Sequence, residues 1–424
     1  MPDIYLHGRR HRRLWQLLWS STLLIVSYGA DARFESEGYE LVYTAPVETQ
    51  LQADDLRRSD EVWRDMFAAA HQRIDIAQFY VANQSGSRLD AVLQALRAAG
   101  ERGVKIRFLM EEKGLRNSTP ETLAQLKAIP HLELRLMPFG RLSGGIIHAK
   151  YFVIDDRQAF VGSQNFDWRA LEHIQETGLR ITDPPVVAQI AAIFAQDWQA
   201  QALIAEDRPV PTIDHHAQRA DARSGNYLVA SPRAWNPVGV LDSQEMLPQL
   251  LASATDSVRV QVMDYAPLSW GPQRSRPFYP VIDNALRSAA ARGVRIELMV
   301  ADWNTGQPDI SWLKSLALAP NVTIKVVTIP QASSGFIPYA RVIHSKIMIV
   351  DDRLAWVGTS NWRGGYFDNS RNLELVLNNE PMAQRLNQLY QQLWSSPYAA
   401  PLRIADDYPQ PAPGGEKPSP SPSP

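Results

Sequence analysis

A chain of 424 residues is long enough for two or three domains, each with its own core. Its 45% hydrophobic and 21% charged residues exclude global disorder. The formal charge of −2 excludes a surface that tracks a nucleic-acid backbone everywhere, and the absence of cysteine excludes disulfides, thiol catalysis and Cys-ligated metals.

Arg9, Arg10, Arg12 and Arg13 precede an apolar run from Leu14 to Tyr28, and Ala30-Asp31-Ala32 follows as a small-x-small cleavage site. This order predicts a signal peptide over 1–32, cleaved after Ala32, and a secreted or periplasmic protein. The arginine pair also fits twin-arginine export. The run is too short, and too broken by Ser and Gln, to span a bilayer comfortably. An uncleaved interfacial anchor is the alternative.

A first α/β domain is expected over 39–205. Arg73–Val81 predicts a strand, Leu89–Ala99 a helix and Val104–Met110 a second strand, with Arg102-Gly103 as the break. Its closing helix carries Val186, Ile190, Ile193, Phe194 and Trp198 on one face. Residues 206–225, with Pro209, Pro211, His215 and His216, predict a linker. The paired histidines lack carboxylate partners at ligand spacing and read as solvated. The second domain, 226–400, repeats the order with Val258–Tyr265, Val281–Ala291, Arg292-Gly293 and Val294–Val300. It closes with a helix carrying Met382, Leu386, Leu389, Tyr390 and Trp394. The Pro- and Ser-rich tail, 409–424, is expected to be disordered. The fold class is therefore α/β: two similar domains, each a sheet flanked by helices, related by a pseudo-twofold axis with the active site between them.

Each half contains one copy of a chemical motif. The first reads His148-x-Lys150-x4-Asp155, then Gly162-Ser163-Gln164-Asn165; the second reads His344-x-Lys346-x4-Asp351, then Gly358-Thr359-Ser360-Asn361. The downstream spacing is the same in both, which excludes coincidence. Alternation along a strand puts His148 and Lys150 on one face. A turn at Asp155-Asp156-Arg157 returns the chain through Ala159–Val161, bringing Ser163 and Asn165 near the pair. Small residues at Gly162 and Gly358 leave room for an anion. Asp155 and Asp351, next to turns, are read as structural.

Two imidazoles, two ammonium groups and two amides around one point are what phosphodiester cleavage requires. One His attacks phosphorus, the other, protonated, donates to the leaving oxygen and then activates water. Lys150, Lys346, Asn165 and Asn361, supported by Ser163 and Thr359, would hold the phosphate oxygens. No metal or other cofactor is needed.

With these motifs the chain resembles the phospholipase D superfamily over roughly residues 39–400. It is most similar to the branch of animal lysosomal 5′-exonucleases and their poxvirus relatives. That likeness rests on Gly162-Ser163-Gln164-Asn165-Phe166-Asp167-Trp168-Arg169, Ile337-Pro338-Tyr339-Ala340-Arg341-Val342, Gly358-Thr359-Ser360-Asn361-Trp362 with Gly365-Tyr366-Phe367, and Trp394-Ser395-Ser396-Pro397-Tyr398. The resemblance implies His148 as nucleophile and His344 as general acid. It further implies a Glu orienting each imidazole, with Glu176 and Glu374 as candidates and their pairing open. The missing cysteines depart from the animal relatives, which carry disulfides.

The expected substrate is a phospholipid, hydrolysed or transferred, with transient contact to a membrane surface. The alternative is the 5′ end of a single-stranded nucleic acid. A silent lipid- or nucleic-acid-binding protein is a third reading, disfavoured by two intact motifs. Trp168, Trp362, Tyr366 and Phe367 either face the substrate or pack behind the site.

Overall fold

Each half builds its own mixed sheet. In the first, eight strands run in the spatial order 34–36, 39–44, 176–181, 158–162, 151–154, 73–78, 105–111 and 132–137. In the second, nine run as 241–242, 227–231, 372–377, 354–358, 347–350, 257–261, 295–301, 322–327 and 399–401. Each sheet contains three consecutive parallel strands (73–78, 105–111, 132–137 and 257–261, 295–301, 322–327); its other pairings are antiparallel, apart from the parallel pair 227–231 and 241–242. This computed structural model describes residues 33–213, 225–270 and 275–415. The expected signal peptide, His215 and His216, and residues 416–424 of the tail lie outside them.

The repeated Arg-Gly has the same cause in both halves. Helix Arg88–Glu101 starts at Ser87, whose hydroxyl accepts the Asp90 N–H, and buries Leu89, Val92, Leu93 and Leu96. It ends where Gly103 takes φ +89°, a left-handed turn open to glycine. Helix Val281–Ala291 ends likewise at Gly293, φ +98°. The preceding arginines fold back on the neighbouring helix end: Arg102 donates to the carbonyls of Phe67 and Ala70, and Arg292 to those of Leu251 and Ala254. Two strands are shorter than their sequences predict, ending at Gln78 and Gln261. Beyond them Phe79 and Met263 leave the sheet and line a cleft.

The closing helices, Pro184–Ala205 and Glu380–Trp394, bury their apolar faces in one central core. That core takes residues from both sheets, from Leu41 and Val161 to Val357 and Leu375. Each half adds an outer core beneath its remaining helices. Of the tail expected to be disordered, 409–415 is described and lies against the second half, where the Tyr339 N–H donates to the Pro413 carbonyl.

Candidate active site

The two motifs meet at the seam between the halves, and each half holds the other's histidine. His148 and Ala149 both donate their backbone N–H groups to the Arg371 carbonyl, at 3.0 and 2.9 Å. His344 and Ser345 donate theirs to the Gln175 carbonyl, at 2.8 and 3.2 Å. The residue after each of these acceptors takes the ring: His344 Nδ1 lies 2.9 Å from a Glu176 carboxylate oxygen, and His148 Nδ1 lies 3.1 Å from Asn372 Oδ1. The histidine and lysine therefore do not sit in the sheet as the alternation suggests. They occupy the extended residues just before strands Tyr151–Ile154 and Ile347–Val350; the opposite half satisfies the histidine N–H groups, while the lysine carbonyls accept the Gly162 and Gly358 N–H groups of their own half.

This overturns one expected pairing. Glu374 orients no histidine. It is fully buried two residues past the matching position, accepting from the Ser243 and Ser360 hydroxyls, and burial raises its pKa to about 7. The counterpart of Glu176 is Asn372: Gly162 faces Gly178 in one sheet and Gly358 faces Glu374 in the other, so two residues earlier gives Glu176 and Asn372. The signal was present in the sequence, since each lies at the same offset from its motif histidine. An amide at a position expected to hold a carboxylate hid it.

Asn372 fixes a tautomer. Its Nδ2 donates to the Tyr366 carbonyl at 2.9 Å, so Oδ1 must face the Thr359 hydroxyl, 2.8 Å away, and His148. His148 Nδ1 therefore carries a proton, leaving a lone pair on Nε2. Burial, then Lys150, Lys346 and His344, drives the His148 pKa well below its ordinary value, so the ring is neutral. Phe79 and Tyr366 flank it, with ring centroids 6.0 and 4.7 Å away.

Both lysines are buried, about 1% exposed, and each ammonium donates to the carbonyl of its own motif histidine. Two N–H groups on each remain for a ligand. Burial and the facing Lys346 lower the Lys150 pKa strongly, and burial lowers that of Lys346 to about 7. Burial raises Glu176 to about 7, against the pull of Lys346. Burial thus disfavours each charge in the site, and an anion bound beside the two lysines would favour their charged forms.

Asn165 lines the cleft and Asn361 touches Tyr366, its Nδ2 3.3 Å from the phenol. The Oδ1 atoms of both are buried without a partner among the described residues. Ser163 and Thr359 serve the frame: Ser163 exchanges hydrogen bonds with the Thr177 backbone, and Thr359 holds Asn372. The glycines make room for side chains and not for an anion, because a Cβ on Gly162 would lie 2.2 Å from Gln164 Oε1 and one on Gly358 2.3 Å from Glu374 Cγ. Asp155 accepts the N–H groups of His71, Gln72 and Arg73, and Asp351 those of Thr255, Asp256 and Ser257, tying each hairpin turn to the neighbouring parallel strand.

The histidines open into a cleft of about 1270 Å³. Its walls hold Phe79, Trp168, Trp270, Trp303, Tyr339 and Tyr366, and the cations Lys113, Arg116, Arg169 and Arg276. Trp362 and Phe367 pack in the outer core of the second half, so of the four aromatic candidates only Trp168 and Tyr366 reach the cleft. Arg169 and Tyr339 fall in stretches that carry the resemblance; Phe79, Lys113, Arg116, Trp270, Arg276 and Trp303 carry no such signal, because loops distant along the chain bring them together. Among the described residues no cluster of His, Asp and Glu could hold a metal, and no helix is long and apolar enough to cross a membrane.

A duplicated mixed sheet that places two imidazoles at one cleft, with two buried ammonium groups beside them, defines a phosphodiester-transfer fold. The family described as "Cardiolipin synthase, PLD-like domain" matches residues 64–198 and again 247–394. The chain belongs to this phospholipase D-like family and is an enzyme of the phosphodiesterase type. It is 29% identical to phospholipase D Z of Dictyostelium discoideum over 86% of this chain and 90% of that one. It is also 29% identical to the human 5'-3' exonuclease PLD4, over 88% and 81% of the two chains. Among solved structures, phosphatidylserine synthase of Haemophilus influenzae shares the fold at TM-score 0.56 with 11% identity, covering 81% of this chain and 85% of that one.

Proposed function

We propose that the protein cleaves phosphodiesters through a phosphohistidine on His148, without a metal. The carrying observation is the unequal orientation of the two imidazoles. His148, neutral and held by an amide, presents a bare Nε2 to phosphorus. Burial and the charges of Lys346 and Lys150 lower the His344 pKa well below its ordinary value too, but its Nδ1 faces the Glu176 carboxylate, which stabilises the imidazolium once the ring takes up a proton, so Nε2–H can protonate the leaving oxygen. In the first step the Nε2–P bond forms and the bond from phosphorus to the leaving oxygen breaks. In the second, His344 takes a proton from water, the water oxygen bonds to phosphorus and the N–P bond breaks. Lys150 and Lys346, with the Asn165 and Asn361 amides, stabilise the charge on the equatorial oxygens. An alcohol in place of water turns hydrolysis into transfer.

The substrate we propose is a phospholipid at a membrane surface. Trp270 and Tyr339 are large exposed side chains that line the cleft, and Leu115, Phe278 and Phe336 are exposed within three residues of the cleft-lining Arg116, Arg276 and Tyr339. Lys113, Arg116 and Arg276 stand among them, a combination suited to an interface with anionic head groups. Single-stranded nucleic acid is the second reading, favoured by the aromatic faces inside the cleft, on which bases can stack, and by the likeness to the exonuclease. Residues 1–32 fit a cleaved export signal; a mature N-terminus at Arg33 in protein recovered outside the cytoplasm is the expected result.

Purified protein would be offered, with EDTA, phosphatidyl-lipid vesicles and a 5′-hydroxyl single-stranded oligonucleotide, with His148→Ala as blank. Head-group release or a transferred phosphatidyl product supports the lipid reading. Stepwise shortening of the oligonucleotide alone supports the exonuclease. Turnover of neither by wild type refutes the function.

A further inference from the structure

The C-terminal segment stays on the fold after its last strand. Ala399–Pro401 pairs with Val322–Val327 at the edge of the second sheet, and Leu402 N–H donates to the Ile324 carbonyl at 2.9 Å. Leu402 and Tyr408 pack on the outer core, while Lys314 donates to the Asp406 carbonyl at 2.7 Å and lies 5.6 Å from the centre of the Tyr408 ring. From there the chain crosses to two loops of the cleft.

Gln410 fills the space beside Gly306, where a Cβ would come within 2.8 Å of its Nε2. Gly306 follows the turn Asp302–Thr305 that carries Trp303. The Pro413 carbonyl accepts the Tyr339 N–H at 2.8 Å. Gly414 and Gly415 pass so close to the next loop that Cβ atoms there would lie 2.8 Å from Tyr339 Oη and 2.6 Å from the Phe336 ring. Trp303 and Tyr339 both line the cleft.

Tyr339 needs such a hold. Its φ is +59° and that of Arg341 is +57°, left-handed values that persist in non-glycine residues only where the surroundings over-determine them. The first half grips this loop from one side: Arg169 donates to the Pro338 carbonyl at 3.0 Å, Glu48 accepts the Ser333 N–H, and Arg341 donates to the Val47 carbonyl. The C-terminal segment grips it from the other. We infer that residues 402–415 form a positioning strap, which fixes Tyr339 and Trp303 in the cleft wall and so sets substrate affinity without touching the histidine chemistry. This rests on the reading that the cleft binds the phosphodiester.

The test compares the chain ending at Asp407 with one ending at Gly415, which keeps every contact named above. Removing 408–424 should raise KM about five- to tenfold, the weight of one lost hydrogen bond, and leave kcat unchanged. Tyr339→Ala should do the same, and the two changes together should cost no more than either alone. Gly415→Val, which drives a side chain into Phe336 in the full chain, should repeat the effect if the shorter protein fails to fold. Hydrogen exchange reads the strap without activity: the Tyr339 amide should lose protection in the chain ending at Asp407. Unchanged protection, additive losses, or a fall in kcat at constant KM overturns the strap. If wild type turns over neither substrate, the reading of the cleft fails, and hydrogen exchange still decides whether the strap holds the loop.

Discussion

Replacing Glu176 with Gln removes one negative charge and almost no volume from the centre of the site. In the wild type the carboxylate accepts from His344 Nδ1 at 2.9 and 3.0 Å, fully buried and in the field of two lysines. Glutamine can still accept that proton but cannot stabilise the imidazolium. A charge-assisted hydrogen bond is worth about 1.5–3 kcal/mol against about 1 kcal/mol for a neutral one. The difference, about 1–2 kcal/mol, gives a loss of roughly five- to thirtyfold in kcat, whereas His344→Ala loses the whole acid–base function, about 10²–10⁴-fold. The leaving group separates the steps. A lipid alcohol needs a proton to leave and a nitrophenolate does not. With bis(p-nitrophenyl) phosphate His344→Ala should release a burst of nitrophenolate equal to the enzyme present and then stall, because the base for water is missing, whereas Glu176→Gln, which keeps His344, should give the burst and then a slowed turnover. His148→Ala should give neither burst nor turnover. A burst from His148→Ala, or a Glu176→Gln enzyme that matches wild type on both substrates, would refute the division of labour read from the two imidazoles.

Lys346, lowered to about 7 by burial, loses its charge as pH rises through that value, so kcat/KM should fall on the alkaline side of neutrality; a Lys346→Arg enzyme, charged throughout, should show residual activity without that limb. The same depressed pKa means that the fold penalises the charged ammonium: above the ordinary lysine value the amine is neutral in both states and there is no penalty, which grows as pH falls toward 7 and is complete below it. Lys346→Met should therefore be inactive yet more stable than wild type at pH 6 by a few kcal/mol in urea denaturation, and no gain there would contradict the burial penalty. Asp155→Ala should strand three backbone N–H groups and cost about 1–3 kcal/mol of stability, with kcat of the folded protein unchanged. Activity should survive EDTA; a loss restored by a divalent cation would show that the lysines do not suffice.

The duplicated spacing of histidine, lysine and aspartate, the Arg-Gly helix ends and the apolar faces of 184–205 and 380–394 were all legible from residue order alone. They are local features, governed by one helix period, one turn or one short loop, so the sequence by itself determined the α/β class, the two-fold repeat and the chemistry on offer. Even Asn372 was within reach through its offset from His344, although its residue type pointed elsewhere. What stood beyond the sequence was every relation between the halves. That Arg371 and Gln175 carbonyls seat the opposite histidines, that one imidazole meets an amide and the other a carboxylate, and that Trp303, Tyr339 and the C-terminal segment share one wall are facts of packing across large sequence separations. Only the tertiary structure decided them, because burial and hydrogen-bond direction at the seam depend on which strands face each other, and no periodicity within a single chain segment encodes that.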